Sequence, residues 1–308
     1  MQITLEKTCE LLSNYDNIRI VCHKFPDGDT IGSAYALCMA LRKLGKTAGV
    51  FCVDEISPKF AYFTDACPEI DFEIQKNVCV DVADRSLIGT DIEKIDLIID
   101  HHASHREFSD NLYLKNNASN AENIIDIINI LGVEWDPAMA SAVYTGISTD
   151  TGCFRFPNTT PASLRAAADM IELGAESSKI NTAFFETKSK IRIEVEGKLL
   201  NGIEYFFDGQ VAFAYIGDDI LSIDGITEDD LDGISSLPRA IEGVKVGATL
   251  RKRPDGYKIS VRTDSVINAS AICEKFGGGG HKGAAGCNIN ADIDKAKSLL
   301  LDAIKDQL

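Results

Sequence analysis

Short aliphatic runs that end at once in acidic or imidazole side chains constrain the fold of this chain most strongly. The clearest is residues 97–99, Leu-Ile-Ile, which lead directly into Asp100, His101 and His102. A continuous apolar run of this length is typical of a buried parallel strand. Open α/β sheets bind their ligands beyond the carboxyl ends of such strands. The sequence therefore predicts an α/β fold whose N-terminal part is a doubly wound, mostly parallel sheet with a ligand site at its strand ends.

The other predicted strand and helix ends supply side chains of the same kinds. Two imidazoles and four carboxylates are candidate metal ligands: His23, His101, Asp27, Asp29, Asp81 and Asp150. Local hydrogen bonding usually explains a single histidine, but only five histidines occur in the chain and two lie among these acids. Such a set suffices for two divalent cations that share one carboxylate, an arrangement that serves phosphoryl hydrolysis. Mixed nitrogen and oxygen ligation without thiolate favours Mn²⁺ over Ca²⁺ and Mg²⁺.

The distribution of charge limits the class of ligand. The formal net charge is −16 with a pI near 4.7, which opposes binding of long nucleic acid through many phosphate contacts. Residues 239–282, which we call the basic segment, instead hold nine Lys and Arg against four acidic residues. This favours a small anionic ligand held locally, although a solvated basic face has the same composition. Four glycines at 277–280, followed by His281, offer backbone N–H groups to an anion; a flexible linker is the alternative.

Length and composition predict a cytoplasmic protein of two domains. No apolar run of 18 residues occurs, and the N-terminus lacks the pattern of a signal peptide. Nine cysteines without a Cys-x-x-Cys pair indicate reduced thiols. We predict domains over residues 1–186 and 201–308, joined by a charged linker over 187–200, with no membrane partner. A homodimer is compatible with the sequence.

Taken together, these motifs resemble a known enzyme family. The segments His23-x-x-Pro-Asp-Gly-Asp29, Asp81, Asp100-His101-His102 and Thr149-Asp150-Thr151-Gly152 resemble the four motifs of the DHH phosphoesterases. The glycine run with His281 and the Ala-Ala-Gly ending at Gly286 resembles the signature of the associated DHHA1 domain. The resemblance covers nearly the whole chain and is strongest to the stand-alone branch that degrades nanoRNA and 3′-phosphoadenosine-5′-phosphate (PAP). It implies a DHH domain, a smaller α/β DHHA1 domain and a substrate cleft between them.

The resemblance also implies roles for individual residues. One metal ion would be held by His23, Asp27 and Asp81, and the other by Asp29, Asp81, His101 and Asp150, so that Asp81 is shared. His102 would contact the scissile phosphate, and Asp100 would orient a neighbouring ligand. Substrate contacts would come from Arg155, Arg262, Gly278, Gly279, Gly280 and His281. Thr263 departs from the serine usual in the family but keeps a hydroxyl group.

The implied activity is Mn²⁺-dependent hydrolysis of very short oligoribonucleotides, of about two to five nucleotides, or of PAP to AMP and phosphate. The alternative is a phosphodiesterase acting on linear or cyclic dinucleotides in nucleotide signalling. The family also contains pyrophosphatases, but their second domain lacks this glycine-histidine motif. A nucleotide-binding regulator that has lost catalysis is a further alternative, which the complete set of metal ligands argues against.

Overall fold

The computed structural model describes residues 1–231, 233–264 and 266–308. They form two compact units, Met1–Thr187 (unit 1) and Lys188–Leu308 (unit 2). Each unit contains its own sheet, and each sheet packs against helices, so the predicted α/β fold class is confirmed. Among the described helices, none has both the length and the apolar character needed to span a membrane.

Unit 1 is built on a five-stranded parallel sheet with the order β2-β1-β3-β4-β5. Its strands are β1 (Ile18–Val21), β2 (Ala48–Phe51), β3 (Lys76–Val80), β4 (Leu97–Asp100) and β5 (Leu112–Leu114). Its α-helices are α1 (Leu5–Asn14), α2 (Gly28–Lys43), α3 (Ala61–Thr64), α4 (Asn120–Leu131), α5 (Pro137–Asp150), α6 (Pro161–Glu172) and α7 (Ser177–Asn181). The strand order reverses between β1 and β3, and ligands of doubly wound sheets bind at such a reversal.

The central strands of unit 1 contain apolar runs, residues 78–80 in β3 and 97–99 in β4, because both faces of the sheet are covered. Val80 and Ile99 point into the larger core, which contains residues of α2, α4 and α5. Cys79 and Ile98, the preceding residues of the same strands, point into a second core on the opposite face. Alternate side chains thus enter different cores, which is why the sequence shows a continuous apolar run rather than a polar-apolar alternation.

Two glycines allow the helices beside the sheet to approach closely. A Cβ atom on Gly32 of α2 would lie 2.2 Å from the carbonyl oxygen of Ala142 in α5. A Cβ atom on Gly146 of α5 would lie 2.6 Å from the Cβ of Ala121 in α4 and 2.7 Å from Oδ1 of Asp29. Any larger side chain would push these helices apart. The close contact brings the first turn of α2 next to the C-terminal turn of α5.

Unit 2 contains a six-stranded mixed sheet with the order β10-β11-β9-β8-β7-β6, in which only β7 and β8 pair in parallel. Its strands are β6 (Glu204–Phe206), β7 (Val211–Ile216), β8 (Val246–Arg253), β9 (Gly256–Thr263), β10 (Gly279–His281) and β11 (Ala284–Ile289). Its α-helices are α8 (Lys190–Asn201), α9 (Asp218–Leu221), α10 (Ala269–Glu274) and α11 (Ile293–Lys305).

The segment predicted as a linker, 187–200, belongs almost entirely to unit 2. Most of it forms α8, which packs against β7 because Val195 and Leu199 are fully buried beside Ala214. The charges that suggested a linker are paired within this segment. Glu196 accepts hydrogen bonds of 2.7 Å from both Lys188 and Arg192, so the charged residues belong to a helix that is buried on one side only.

Candidate metal centre

The predicted metal ligands come together at the carboxyl edge of the parallel sheet in unit 1. With His102 they form three groups, and within each group the ligand atoms lie within 4.8 Å of one another: His23 with Asp27 and Asp81; Asp29 with His101 and Asp150; and Asp81 with His101 and His102. The strands place three of these side chains, since His23, Asp81 and His101 follow β1, β3 and β4. Helices place the others, since Asp27 and Asp29 begin α2 and Asp150 ends α5.

The first group surrounds His23. Its Nε2 lies 3.7 Å from Oδ1 of Asp27 and 3.8 Å from Oδ2 of Asp81. Its Nδ1 lies 2.8 Å from the carbonyl oxygen of Lys24, so Nδ1 carries a hydrogen and donates it. That hydrogen bond leaves Nε2 directed at the carboxylates, which is how metal-binding histidines are usually oriented.

The second group surrounds His101, whose ring nitrogens are arranged like those of His23. Its Nε2 lies 3.8 Å from Oδ2 of Asp29, 3.7 Å from Oδ2 of Asp150 and 3.4 Å from Oδ1 of Asp81. Its Nδ1 lies 3.1 Å from the carbonyl oxygen of Asn117. Asp29 is fixed in turn by the backbone N–H groups of Asn120 and Ala121 at the start of α4.

Asp81 joins the two groups, because each of its carboxylate oxygens faces a different imidazole. Oδ1 is buried and has no hydrogen-bond partner in the described structure. The backbone of Asp81 is left-handed, with φ of 58°, a conformation that strained functional sites often contain. A buried carboxylate oxygen without a partner is costly unless a cation meets it. The donor set therefore fits two divalent cations that share Asp81.

The electrostatics of this centre also favour cations. Burial raises the pKa of Asp29 and of Asp81, and the negative charge of Asp29 raises the pKa of Asp81 further. Burial and the nearby Asp29 raise the pKa of Asp150 to about 8. Burial alone would lower the pKa of the two histidines, but the carboxylates outweigh it and raise the pKa of His23 to about 9 and of His101 to about 10. The centre therefore binds protons tightly, because its carboxylate groups bring an excess of negative charge.

A second hydrogen-bonded group holds His102 beside the centre. Oδ1 of the fully buried Asp100 accepts hydrogen bonds of 2.8 Å from Nδ1 of His102 and from the backbone N–H of His101. Oδ2 accepts a hydrogen bond of 2.5 Å from Nδ1 of His105. Burial would raise the pKa of Asp100, but the bonds from His102 and His105 hold it well below its usual value. Asp100 is therefore an anion that fixes one ring nitrogen of His102.

Sequence reasoning missed His105. Its side chain is only 1% exposed, its ring stacks on Phe108, and its Nε2 is buried without a hydrogen-bond partner in the described structure. His105 thus lies in the interior, where it holds the second oxygen of Asp100. Its position three residues after His102, in a chain with five histidines, was the one available signal.

The predicted substrate contacts are divided between the units. Arg155 lies in unit 1, on the turn after α5, where its Nε donates to the carbonyl oxygen of Gly152 at 2.6 Å. Its exposed guanidinium lies 5.6 Å from the ring centre of Phe185. Arg262 and His281 lie in unit 2, on β9 and β10, and Ala284 of β11 lies between them as the direct pairing partner of both.

Two of the three predicted glycine contacts in unit 2 have a structural reason to be glycine. A Cβ atom on Gly278 would lie 2.2 Å from the carbonyl oxygen of Gly286, and one on Gly280 would lie 2.6 Å from that of Ala284. The close pairing of β10 with β11 therefore requires both. Gly279 has no described neighbour within 4 Å of such an atom, so it alone leaves open space for an approaching ligand.

Comparison with known proteins agrees with this geometry. Residues 17–147 match the model of the DHH family, N-terminal domain, and residues 208–308 match the DHHA1 domain. A curated relative from Thermus thermophilus, named bifunctional oligoribonuclease and PAP phosphatase NrnA, is 35% identical over 94% of this chain and 90% of its own length. The chain belongs to the DHH family. It is therefore a phosphoesterase of the metal-dependent hydrolase class, and the predicted family resemblance is confirmed.

The fold of this DHH chain is also found in solved structures of other proteins. An exopolyphosphatase-related protein from Bacteroides fragilis superposes with a TM-score of 0.85 at 20% identity, over 98% of this chain and 95% of that one. RecJ from Thermus thermophilus, solved in complex with Mn²⁺, has a TM-score of 0.52 at 14% identity and covers 98% of this chain and 55% of its own. Both likenesses concern the fold.

Proposed function

We propose that this DHH phosphoesterase uses two Mn²⁺ ions to hydrolyse very short oligoribonucleotides to mononucleotides, PAP to AMP and phosphate, or both. The observation that carries the proposal is Asp81, which faces both histidine-carboxylate groups and keeps one buried oxygen unpartnered among the described residues. The name of the Thermus thermophilus relative, which spans 94% of this chain, supports the substrate class. Mixed imidazole and carboxylate donors support Mn²⁺, and RecJ has been solved with this ion.

The roles of the side chains follow from their hydrogen bonds. When bound, the two cations would act as Lewis acids toward a phosphoryl group and lower the pKa of a water molecule. The carbonyl oxygens of Lys24 and Asn117 keep the hydrogens of His23 and His101 on Nδ1, so that each Nε2 can serve as a ligand. Asp81 would help to hold both ions.

His102 would act on the substrate rather than on a metal ion. Its Nδ1 is occupied by Asp100 at 2.8 Å, which leaves Nε2 for a phosphoryl oxygen. The side chain is 36% exposed, whereas that of His101 is 11% exposed, so His102 is the more accessible of the two. Held by Asp100, His102 would direct Nε2 at the phosphate and help to stabilise negative charge that develops there.

A preference for short substrates agrees with the charge of the chain. Each extra nucleotide adds a phosphate that needs a Lys or Arg partner to raise affinity. The net charge of −16 and the concentration of cations in the basic segment provide few such partners. We expect affinity to stop increasing after the first few nucleotides.

A substrate panel tests the proposed function. With Mn²⁺ present, we expect kcat/KM to be highest for PAP, for the dinucleotide pApA or for a five-nucleotide RNA, with little hydrolysis of a long single-stranded RNA. Cyclic di-AMP in the same panel tests the signalling alternative. Turnover of cyclic di-AMP, with none of PAP or the short RNAs, would contradict the proposal and favour that alternative.

A further inference from the structure

Two cysteines of unit 1 that have no assigned role lie next to each other in its larger core. Cys38 belongs to α2 and Cys67 follows α3, and their Sγ atoms lie 3.4 Å apart, within hydrogen-bond distance. Cys38 is fully buried, whereas Cys67 is 5% exposed. Both are free thiols, so two groups that could form a covalent bond are already neighbours.

Cys67 can be reached from solvent through a cavity. The cavity has a volume of about 240 Å³, lies beside the edge strand β2 and is lined by Cys67 and Arg42, among other residues. Its wall also includes residues 69–71, which are exposed, so the cavity opens to solvent. Of the two cysteines only Cys67 lines it, and a small reagent would therefore meet Cys67 first.

Arg42 favours a negative charge on this pair of thiols. It lies four residues after Cys38 on the same face of α2, and its Nε donates to the carbonyl oxygen of Ala48 at 2.8 Å. The hydrogen bond with Cys38 and the charge of Arg42 lower the pKa of Cys67 against the effect of burial. The same hydrogen bond and burial raise the pKa of Cys38. Cys67 is therefore the thiol that ionises first, and the thiolate is the form that reacts with oxidants.

We propose that Cys38 and Cys67 are a redox-active pair, which a hydroperoxide converts reversibly into a disulfide bond. In the first step the sulfur of Cys67 attacks one peroxide oxygen. An S–O bond forms, the O–O bond breaks, and the other oxygen leaves with the thiol proton as water or an alcohol. Cys67 is thereby oxidised to a sulfenic acid and the peroxide is reduced. In the second step the sulfur of Cys38 attacks that of Cys67, so that an S–S bond forms and the hydroxyl group leaves with the thiol proton of Cys38 as water.

The local structure allows this bond to form. The two sulfur atoms need to approach from 3.4 Å to about 2.05 Å. Cys38 is held within a helix, but Cys67 lies at the end of a turn, and residues 68–75 form neither helix nor strand. The approach can therefore come from the side of Cys67. The bond would fasten this segment to α2, the helix that begins with the candidate metal ligands Asp27 and Asp29.

Peptide mapping after peroxide treatment tests the proposal without substrate, and so independently of the proposed function. The reduced full chain is treated with a small molar excess of hydrogen peroxide. We expect the loss of two of its nine free thiols, a mass decrease of two hydrogen atoms and a peptide that links Cys38 to Cys67. Dithiothreitol should restore both thiols. A chain that keeps all nine thiols, or that forms no such linked peptide, would overturn the proposal.

Three variants separate the two steps of the reaction. Cys67→Ser should abolish the thiol loss, because the attacking sulfur is absent. Cys38→Ala should retain only the first step, so that a sulfenic acid accumulates at Cys67 and can be trapped with dimedone. Cys153→Ser is the matched control, since Cys153 is more exposed than Cys67, and it should form the linked peptide as the wild type does. Dimedone labelling of Cys153 rather than Cys67 in Cys38→Ala would show that exposure alone decides reactivity, and would overturn the proposal.

Cys273 and Cys287 of unit 2 provide an internal comparison. A hydrogen bond between their thiols lowers the pKa of Cys287, but no cation in the described part of the chain adds to this effect. We expect the link between Cys38 and Cys67 to form faster than one between Cys273 and Cys287. Equal rates would show that contact between two thiols suffices, and would overturn the assignment of a specific site at Cys38 and Cys67.

Discussion

Replacing Asp81 by asparagine is expected to lower kcat for PAP or pApA by about three powers of ten or more, because a two-metal centre loses the ligand that its ions share. The carboxylate faces Nε2 of His23 at 3.8 Å and Nε2 of His101 at 3.4 Å. Asparagine keeps the size and can adopt the left-handed backbone found at this position. It offers only one oxygen and no charge, so neither ion would be held in place.

The same variant should not harm the folded state. The pKa of Asp81 is raised well above its usual value in the folded protein, chiefly by burial. A carboxyl group with a raised pKa favours the fold when protonated, and this contribution is lost as the pH rises above the unfolded pKa near 4. At neutral pH the metal-free centre is therefore destabilised by Asp81, and a neutral asparagine should keep or raise Tm without metal.

Thermal unfolding with and without Mn²⁺ checks both expectations. The wild type should gain Tm on adding Mn²⁺, whereas Asp81→Asn should gain much less. Asp84→Asn is the matched control, since Asp84 caps a neighbouring turn through Ser86 and pairs with Arg106 but lies outside the metal groups. Near-normal turnover by Asp81→Asn in Mn²⁺ would refute the assignment of Asp81 as the shared ligand.

Replacing His102 by glutamine is expected to lower kcat by about 10²–10³, the usual effect of removing one group that stabilises transition-state charge. The reason is the contact of its Nδ1 with the anionic Asp100, which leaves Nε2 to act on the substrate. Steady-state kinetics on PAP should show this loss in kcat with a smaller change in KM.

Metal binding distinguishes His102 from the ligands. Because we place His102 outside the metal ligands, His102→Gln should keep the number of Mn²⁺ ions bound per chain and the Mn²⁺-dependent gain in Tm. His101→Gln should lose part of both. Loss of bound Mn²⁺ in His102→Gln would instead make His102 a ligand, in line with its Nδ1 lying 3.6 Å from Asp81.

The parallel sheet and the meeting of the candidate ligands at its edge could be predicted from the sequence because both depend on local pattern. Strands buried on both faces give continuous apolar runs, as in β3 and β4. The ends of parallel strands meet at one edge, so His23, Asp81 and His101 had to lie near one another once the strands were recognised. Asp150 joins them from the end of helix α5.

Features that depend on packing between distant residues could not be predicted in this way. The charges of α8 suggested a linker, since sequence does not show that Glu196 pairs with Lys188 and Arg192 while Val195 is buried. The glycines at 278 and 280 suggested a ligand, but the pairing of β10 with β11 already requires them.

The residue that sequence reasoning overlooked has the same explanation. His105 contacts Asp100 five residues away through a turn that has no periodic signal. The contact follows from tertiary structure, which a reading of local spacing does not contain.

Titration of Mn²⁺ into the metal-free chain, with PAP hydrolysis and bound metal measured on the same samples, tests the two-ion centre most directly. The structure predicts no turnover without metal, little turnover with one ion per chain and full turnover with two, since each of the two ligand groups that meet at Asp81 would hold one ion. Full turnover by the metal-free chain, or by a chain holding a single ion, would contradict a centre built on a shared Asp81.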